Sequence, residues 1–357
     1  MVELNHRASL CKLRVNAYQF VLHRLLICAA LSLTFGCTPS EKPIQKFEGL
    51  AQGTTYHISY WHEQALDAKA LETAVIEEFA AIDKTLSNYR PDSVIEQFNL
   101  SPSTESQDVG EEIVGLVRLA RGVSQLSQGC FDLTIKPLFD LWGFQGESLT
   151  IPNADSLQRT LATVGIDKVE LVDERHLRKP AGIRIDVSSV AQGYSVEKIS
   201  RVLERFGVND YLVEIGGELK TQGHKPNGQG WRIAVEKPLP GQQRLHKTIA
   251  LPKDQVSAVM TSGTYRHYFD VDGQRYSHIL DARDGKPVRH DLVAVTVIHE
   301  DPTLADAWST ALLCVGEQQG MQLANQQNLK VLFIQQQGQD FGETHSQALM
   351  SSGLSIE

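Results

Sequence analysis

Two short stretches bring together side chains that could act on a phosphorylated ligand. In Ala305-Asp306-Ala307-Trp308-Ser309-Thr310, the i, i+4 spacing puts Asp306 and Thr310 on one face of a helix. One carboxylate and one hydroxyl, completed by a backbone carbonyl and by ligand phosphates, suit magnesium, which takes oxygen ligands and few protein contacts. The second stretch, Asp186-Val187-Ser188-Ser189-Val190-Ala191-Gln192-Gly193-Tyr194, lies where a strand gives way to a helix. There Ser188 or Ser189 can cap N–H groups aimed at a phosphate. Each stretch also has an ordinary reading. An acid in a first turn complements the helix dipole, and a serine before a helix is a common N-cap. On the residues alone both readings stay open.

Three further features share that ambiguity. His278, in Tyr276-Ser277-His278-Ile279-Leu280-Asp281, sits inside an apolar strand pattern, where it could touch phosphate or ribose, accept a proton, or simply pack. Gly216-Gly217 and Ser262-Gly263 follow strand-like runs and allow either a turn or close approach of backbone to a ligand. The phosphate-binding G-x-G-x-x-G and G-x-x-x-x-G-K-[ST] loops, the G-x-S-x-G elbow and the H-E-x-x-H zinc motif do not occur.

Elements able to position these residues can be read from periodicity. Alternation over 53–61, with Tyr56, Ile58 and Tyr60 on one side, predicts an opening strand. Leu71, Val75, Phe79, Ile82 and Leu86 recur at helical spacing, as do Ile113, Leu116, Ala120, Val123 and Leu126, the second set stopping at Gly129 as a C-cap. Short strands are predicted over 169–172 and 183–187, and a helix over 190–206. Strands then dominate, at 211–215, 231–235, 256–261, 276–280 and 293–298, before two helices and a last strand at 331–334. Strands and helices neither alternate strictly nor separate, so the class is α+β.

The chain has 357 residues, 41% hydrophobic and 22% charged, with a formal net charge of −9. That is a globular composition, and an acidic chain without a basic stripe argues against a nucleic-acid partner. The start reads as a targeting signal. Arg7, Lys12, Arg14 and Arg24 precede an apolar run at 25–35, too short to span a bilayer, which ends at Gly36-Cys37. This is the pattern of a bacterial lipoprotein signal over 1–37, with Cys37 lipidated, a flexible tether over 38–50 and a tail over 349–357. It predicts a cell-envelope protein, lipid-anchored to a membrane and facing the periplasm. Of the cysteines, only Cys130 and Cys314 remain in the mature domain; they imply no disulfide framework, and no C-x-x-C suggests zinc.

The order and wording of these motifs resemble the ApbE family of FAD:protein FMN transferases. Gly53-Thr54-Thr55-Tyr56, Leu86-Ser87-Asn88-Tyr89, Phe131-Asp132-Leu133-Thr134 and Leu141-Trp142-Gly143-Phe144 begin the series. The Asp186 stretch, Glu214-Ile215-Gly216-Gly217-Glu218, Ser262-Gly263-Thr264-Tyr265, the His278 strand and the Asp306 helix complete it. The likeness runs from about residue 51 to 335, inside a domain set at 51–348. It implies paired mixed or antiparallel sheets flanked by helices, with FAD in a central cleft. It further implies FAD contacts from Gln52, Tyr89, Cys130, Phe131, Asp132, Asp186, Gln192 and His278, and magnesium among Ser189, Asp306 and Thr310. His278 and Asp306 would then be the catalytic candidates. The implied reaction attaches FMN through a phosphoester to a threonine or serine in subunits of membrane redox complexes, releasing AMP. An FAD pyrophosphatase and a non-catalytic flavin-binding lipoprotein are the alternatives. Departures from the family pattern fall at Gln52, Gln192 and Ala282.

Overall fold

The predicted opening strand is Thr54–Trp61, and it buries Tyr56, Ile58 and Tyr60 as the alternation requires. It belongs to a computed structural model that describes residues 42–357 except Gln145, Glu147, Pro240, Gln242 and Gln243. The signal segment, Cys37 and the first residues of the tether lie outside the described residues. Pro43–Glu357 forms one compact unit. No helix among the described residues is long and apolar enough to cross a membrane.

An eight-stranded sheet runs through the unit in the order Gln45–Ala51, Thr54–Trp61, Asp210–Ile215, Glu218–Gln222, Ser257–Gly263, Leu292–His299, Lys330–Gln337 and Asp340–His345. Every neighbouring pair is antiparallel. One face is covered by the helices Ala68–Leu86, Gly110–Leu126, Ser188–Arg205 and Pro302–Val315, whose apolar stripes form the main core with Ile58, Val213, Met260 and Val297 of the sheet. The other face is covered by a small sheet of Arg232–Glu236, Leu245–Ala250 and Ser355–Ile356, where Ile233, Val235 and Ile249 meet Leu219, Val259 and Ile334. The architecture is therefore α+β, with paired antiparallel sheets flanked by helices.

Several predicted elements differ. Residues 45–50, assigned to the tether, are part of the first strand, joined to the second by a two-residue turn in which Gln52 and Gly53 both have positive φ. The strand at 331–334 is not the last, because Asp340–His345 extends the sheet, and the tail contributes Ser355–Ile356 to the small sheet. The predicted strand at 276–280 is two pieces, Gln274–Ser277 and Leu280–Asp281, in different ladders, with His278 at the break. Residues 183–187 belong to no ladder. Side chains bind that backbone instead: Asn99 Oδ1 accepts from Ile185 N at 2.7 Å and Asn88 Oδ1 from Val187 N at 3.0 Å.

Candidate active site

The two stretches that opened the sequence reading meet where two helices cross. Gly193 of Ser188–Arg205 faces Asp306 of Pro302–Val315, and its N–H donates to Asp306 Oδ2 at 2.8 Å. A Cβ on Gly193 would lie 2.3 Å from the Pro302 carbonyl oxygen and 2.8 Å from Asp306 Cβ, so only glycine permits this approach. The crossing leaves Asp306 Oδ1 for a ligand. Burial raises the Asp306 carboxyl, and the Gly193 bond works the other way. One turn on, Thr310 Oγ1 lies 2.8 Å from Ser262 Oγ, which is also 2.8 Å from Ser309 Oγ.

Asp306, Thr310 and Ser262 open into a cavity of about 880 Å³, lined also by Cys130, Phe131, Asp132, Asp186, Ser189, Gln192 and His278. A second cavity, of about 1290 Å³, is lined by Gln52, Asn88 and Tyr89 and shares Ser188 and Gln192 with the first. The structure thus places Gln52 and Tyr89 in one chamber and the other predicted site residues in the next, with Gln192 at the junction.

The start of the Ser188–Arg205 helix is held by a buried polar network. The amide groups of Asn88 and Asn99 both donate to Ile185 O and to Glu96 Oε1, and Lys136 Nζ closes the set, 3.1 Å from that same oxygen. No serine caps the helix. The N-cap is Val187, and the residue before it, Asp186, accepts from Ser188 N through Oδ1 at 2.8 Å in a local turn. Asp132 is likewise engaged with backbone: Oδ1 accepts from Thr134 N, and Oδ2 accepts from Ile166 N at 2.8 Å. Its carboxyl shapes the wall of the cavity, and burial raises it against those bonds.

His278 N and Nδ1 both face His267 O, at 3.1 and 2.8 Å. A carbonyl can only accept, so Nδ1 carries the proton and Nε2 keeps its lone pair. Burial pushes the ring down to about 4, so it is neutral at physiological pH. Contrary to the sequence reading, Cys130 and Cys314 form a disulfide across 184 residues of chain. It ties the Phe131-Asp132 wall to the C-terminal end of the Asp306 helix. Asp281 lies beside it, but with both thiols consumed the trio cannot ligate a metal.

The donors at the helix crossing, a buried carboxylate, the Thr310 hydroxyl and the oxygens of Ser189, are all hard oxygen ligands. They fit magnesium and would suit neither zinc nor copper.

Comparison with known proteins decides the lineage. A model of the ApbE family matches residues 52–333. The chain belongs to the ApbE family. Curated relatives named FAD:protein FMN transferase come from Vibrio cholerae, 34% identical over 89% of this chain and 95% of that one, and from Salmonella typhimurium, 32% identical over 89% and 93%. Among solved structures, the flavinyl transferase ApbE of Pseudomonas stutzeri in its apo form is 38% identical, covering 86% of this chain and 96% of that one, with a TM-score of 0.78. Flavin Transferase ApbE from Vibrio cholerae is 32% identical, covers 86% and 99%, and also has a TM-score of 0.78. Like these relatives, the chain is a transferase.

Sequence reasoning missed several groups of this ApbE site. Glu218 lines the first cavity and is buried, with its Oε2 accepting from Thr261 N at 2.9 Å. Burial and then the charge of Asp306 raise its carboxyl, while Arg266 opposes them. Arg266 also escaped selection, and Ser262 was marked only with Gly263 for its backbone and not for its hydroxyl. Glu218 and the turn before Arg266 lie inside motifs of the family, but spacing along the chain gave no reason to pick their side chains.

Proposed function

We propose that the chain is a magnesium-dependent FAD:protein FMN transferase that joins FMN, through a phosphoester, to a threonine or serine hydroxyl of a partner protein and releases AMP. The observation that carries this reading is the pair of cavities meeting at Ser188 and Gln192, beside Asp306 and Thr310. Two chambers sharing a polar junction suit a ligand of two bulky halves with a charged linkage between them.

In the reaction the acceptor oxygen attacks the FMN phosphorus, forming a new P–O bond. The bond from that phosphorus to the bridging oxygen breaks, and AMP leaves with the electron pair. A neutral hydroxyl is a poor nucleophile, so positioning and charge stabilisation carry most of the acceleration. Asp306, Thr310 and Ser189 would hold a magnesium ion, which when bound would neutralise charge on the diphosphate. Gly193 orients the Asp306 carboxylate, and Ser262 orients the Thr310 hydroxyl. The lone pair on His278 Nε2 accepts the proton leaving the acceptor hydroxyl.

The acceptor belongs to the class of membrane redox subunits, and the enzyme works lipid-anchored through Cys37 on the periplasmic side. Support for an oxidising compartment comes from the Cys130–Cys314 disulfide. One mixture tests the activity: FAD, magnesium and an acceptor domain bearing the target threonine, read for a covalently fluorescent acceptor and for AMP. Transfer gives both. Free FMN with AMP would make the enzyme a pyrophosphatase, and intact bound FAD a carrier. Asp306→Ala should abolish labelling, and retained activity would remove the metal assignment.

A further inference from the structure

Arg266 has no role in the reaction as described, yet it is the one Lys or Arg among the residues lining the first cavity. The acids Asp132, Asp186, Glu218 and Asp306 line the same space. A dinucleotide diphosphate entering such a wall meets repulsion unless cations are provided.

The guanidinium has a built seat. Nη1 donates to Gly216 O at 2.9 Å, in the two-residue turn between Asp210–Ile215 and Glu218–Gln222. A Cβ on Gly217 would lie 2.9 Å from Arg266 Nη2, and one on Gly216 would lie 2.4 Å from Gln192 Nε2. Both glycines have positive φ, +60° and +96°. The Gly-Gly motif is therefore a turn and a close approach at once: it lets Arg266 lie on its backbone from one side and Gln192 from the other. Glu236 stands 3.8 Å from Nη2, beyond hydrogen-bond length. A guanidinium carries five N–H donors, so this seat leaves donors for a ligand.

Its place relative to the metal ligands is also defined. Ser262, four residues earlier, hydrogen-bonds to Thr310. Glu218, which lines the same cavity, lies within electrostatic reach of both Asp306 and Arg266.

We infer that Arg266 is a substrate-binding residue, seated on the Gly216-Gly217 turn, whose guanidinium takes the diphosphate of the dinucleotide. This rests on the FAD reading above. Phosphate oxygens are the acceptors that a forked guanidinium binds in pairs.

The test is equilibrium titration of the full protein with FAD in magnesium buffer without an acceptor, followed by flavin fluorescence at rising KCl. Arg266→Gln should weaken FAD binding about 10- to 100-fold and flatten its salt dependence, since the lost contact is a charge pair. Arg266→Lys keeps the charge but not the fork, and should fall between, with the salt dependence kept. It also serves if the glutamine variant does not fold. Unchanged affinity in Arg266→Gln, or weakened affinity with the wild-type salt dependence, would overturn the inference, the latter by making Arg266 a brace for the turn. A wild-type protein that fails to bind FAD would instead overturn the reading beneath it.

Discussion

Gly193→Ala tests the helix crossing that holds Asp306. The added methyl would lie 2.3 Å from Pro302 O, where ordinary contact begins at 3.4 Å, so the two helices must part by roughly 1 Å. Overpacking of this kind costs about 1–3 kcal/mol, while replacing glycine by alanine within a helix returns about 1 kcal/mol. The net loss of stability is therefore small, about 0–2 kcal/mol. The effect on rate is larger, because a displacement of that size in a catalytic carboxylate can cost on the order of 100-fold. Gly122→Ala is the control. It lies in the helix Gly110–Leu126 with nothing within 4 Å of its would-be Cβ, and should gain up to about 1 kcal/mol with no change in rate. Thermal unfolding and the initial rate of covalent flavin labelling measure both quantities. If Gly193→Ala labels at the wild-type rate with its midpoint raised like that of Gly122→Ala, the tight crossing does not set the site.

Other perturbations follow from the same contacts. His278 is depressed from 6.5 to about 4 in the folded protein, so the unfolded chain binds the extra proton between those values and stability is lost as pH falls through that window. The loss is at most about 3 kcal/mol, and the stability difference between wild type and His278→Gln should carry that slope between pH 4 and 6.5; a flat difference would contradict the buried neutral ring. Reducing Cys130–Cys314 opens a loop of 184 residues and should cost about 2–4 kcal/mol, seen as a lower thermal midpoint with dithiothreitol that is absent in a Cys130→Ala, Cys314→Ala double variant. Asn88→Leu leaves Val187 N–H without its acceptor, and should cost about 1–3 kcal/mol in denaturant unfolding and weaken FAD binding through Asp186. An unchanged unfolding midpoint would remove the asparagine clamp from the account.

The periodic elements were legible because their partners are regular. Leu71 to Leu86 bury the stripe that their spacing marks, as do Ile113, Leu116, Ala120 and Val123, while Leu126 at the end of that helix is exposed; Tyr56, Ile58 and Tyr60 point into the core. The failures have local causes. Residues 183–187 look like a strand, being apolar and extended, but Asn88 and Asn99, about a hundred residues away in the chain, take the place of a neighbouring strand. The edge strand Gln45–Ala51 is hard to tell from a tether, since none of its residues is fully buried and Leu50 lies on its exposed side. Asp306, Thr310, Gln192 and His278, which the structure brings to one cavity, could be picked because each lies in a motif. That Gly193 N–H meets the Asp306 carboxylate, that Cys130 meets Cys314, and that Arg266 lies on Gly216-Gly217 are facts of packing, which no spacing along the chain encodes.

The most direct measurement is mass spectrometry of an acceptor domain after incubation with enzyme, FAD and magnesium, with AMP counted in the same sample. The account predicts one FMN added through a phosphoester, localised to a single hydroxyl residue, with one AMP formed for each label, and none of this with Asp306→Ala. An acceptor of unchanged mass while AMP accumulates, or a label that forms equally well with Asp306→Ala, would contradict it.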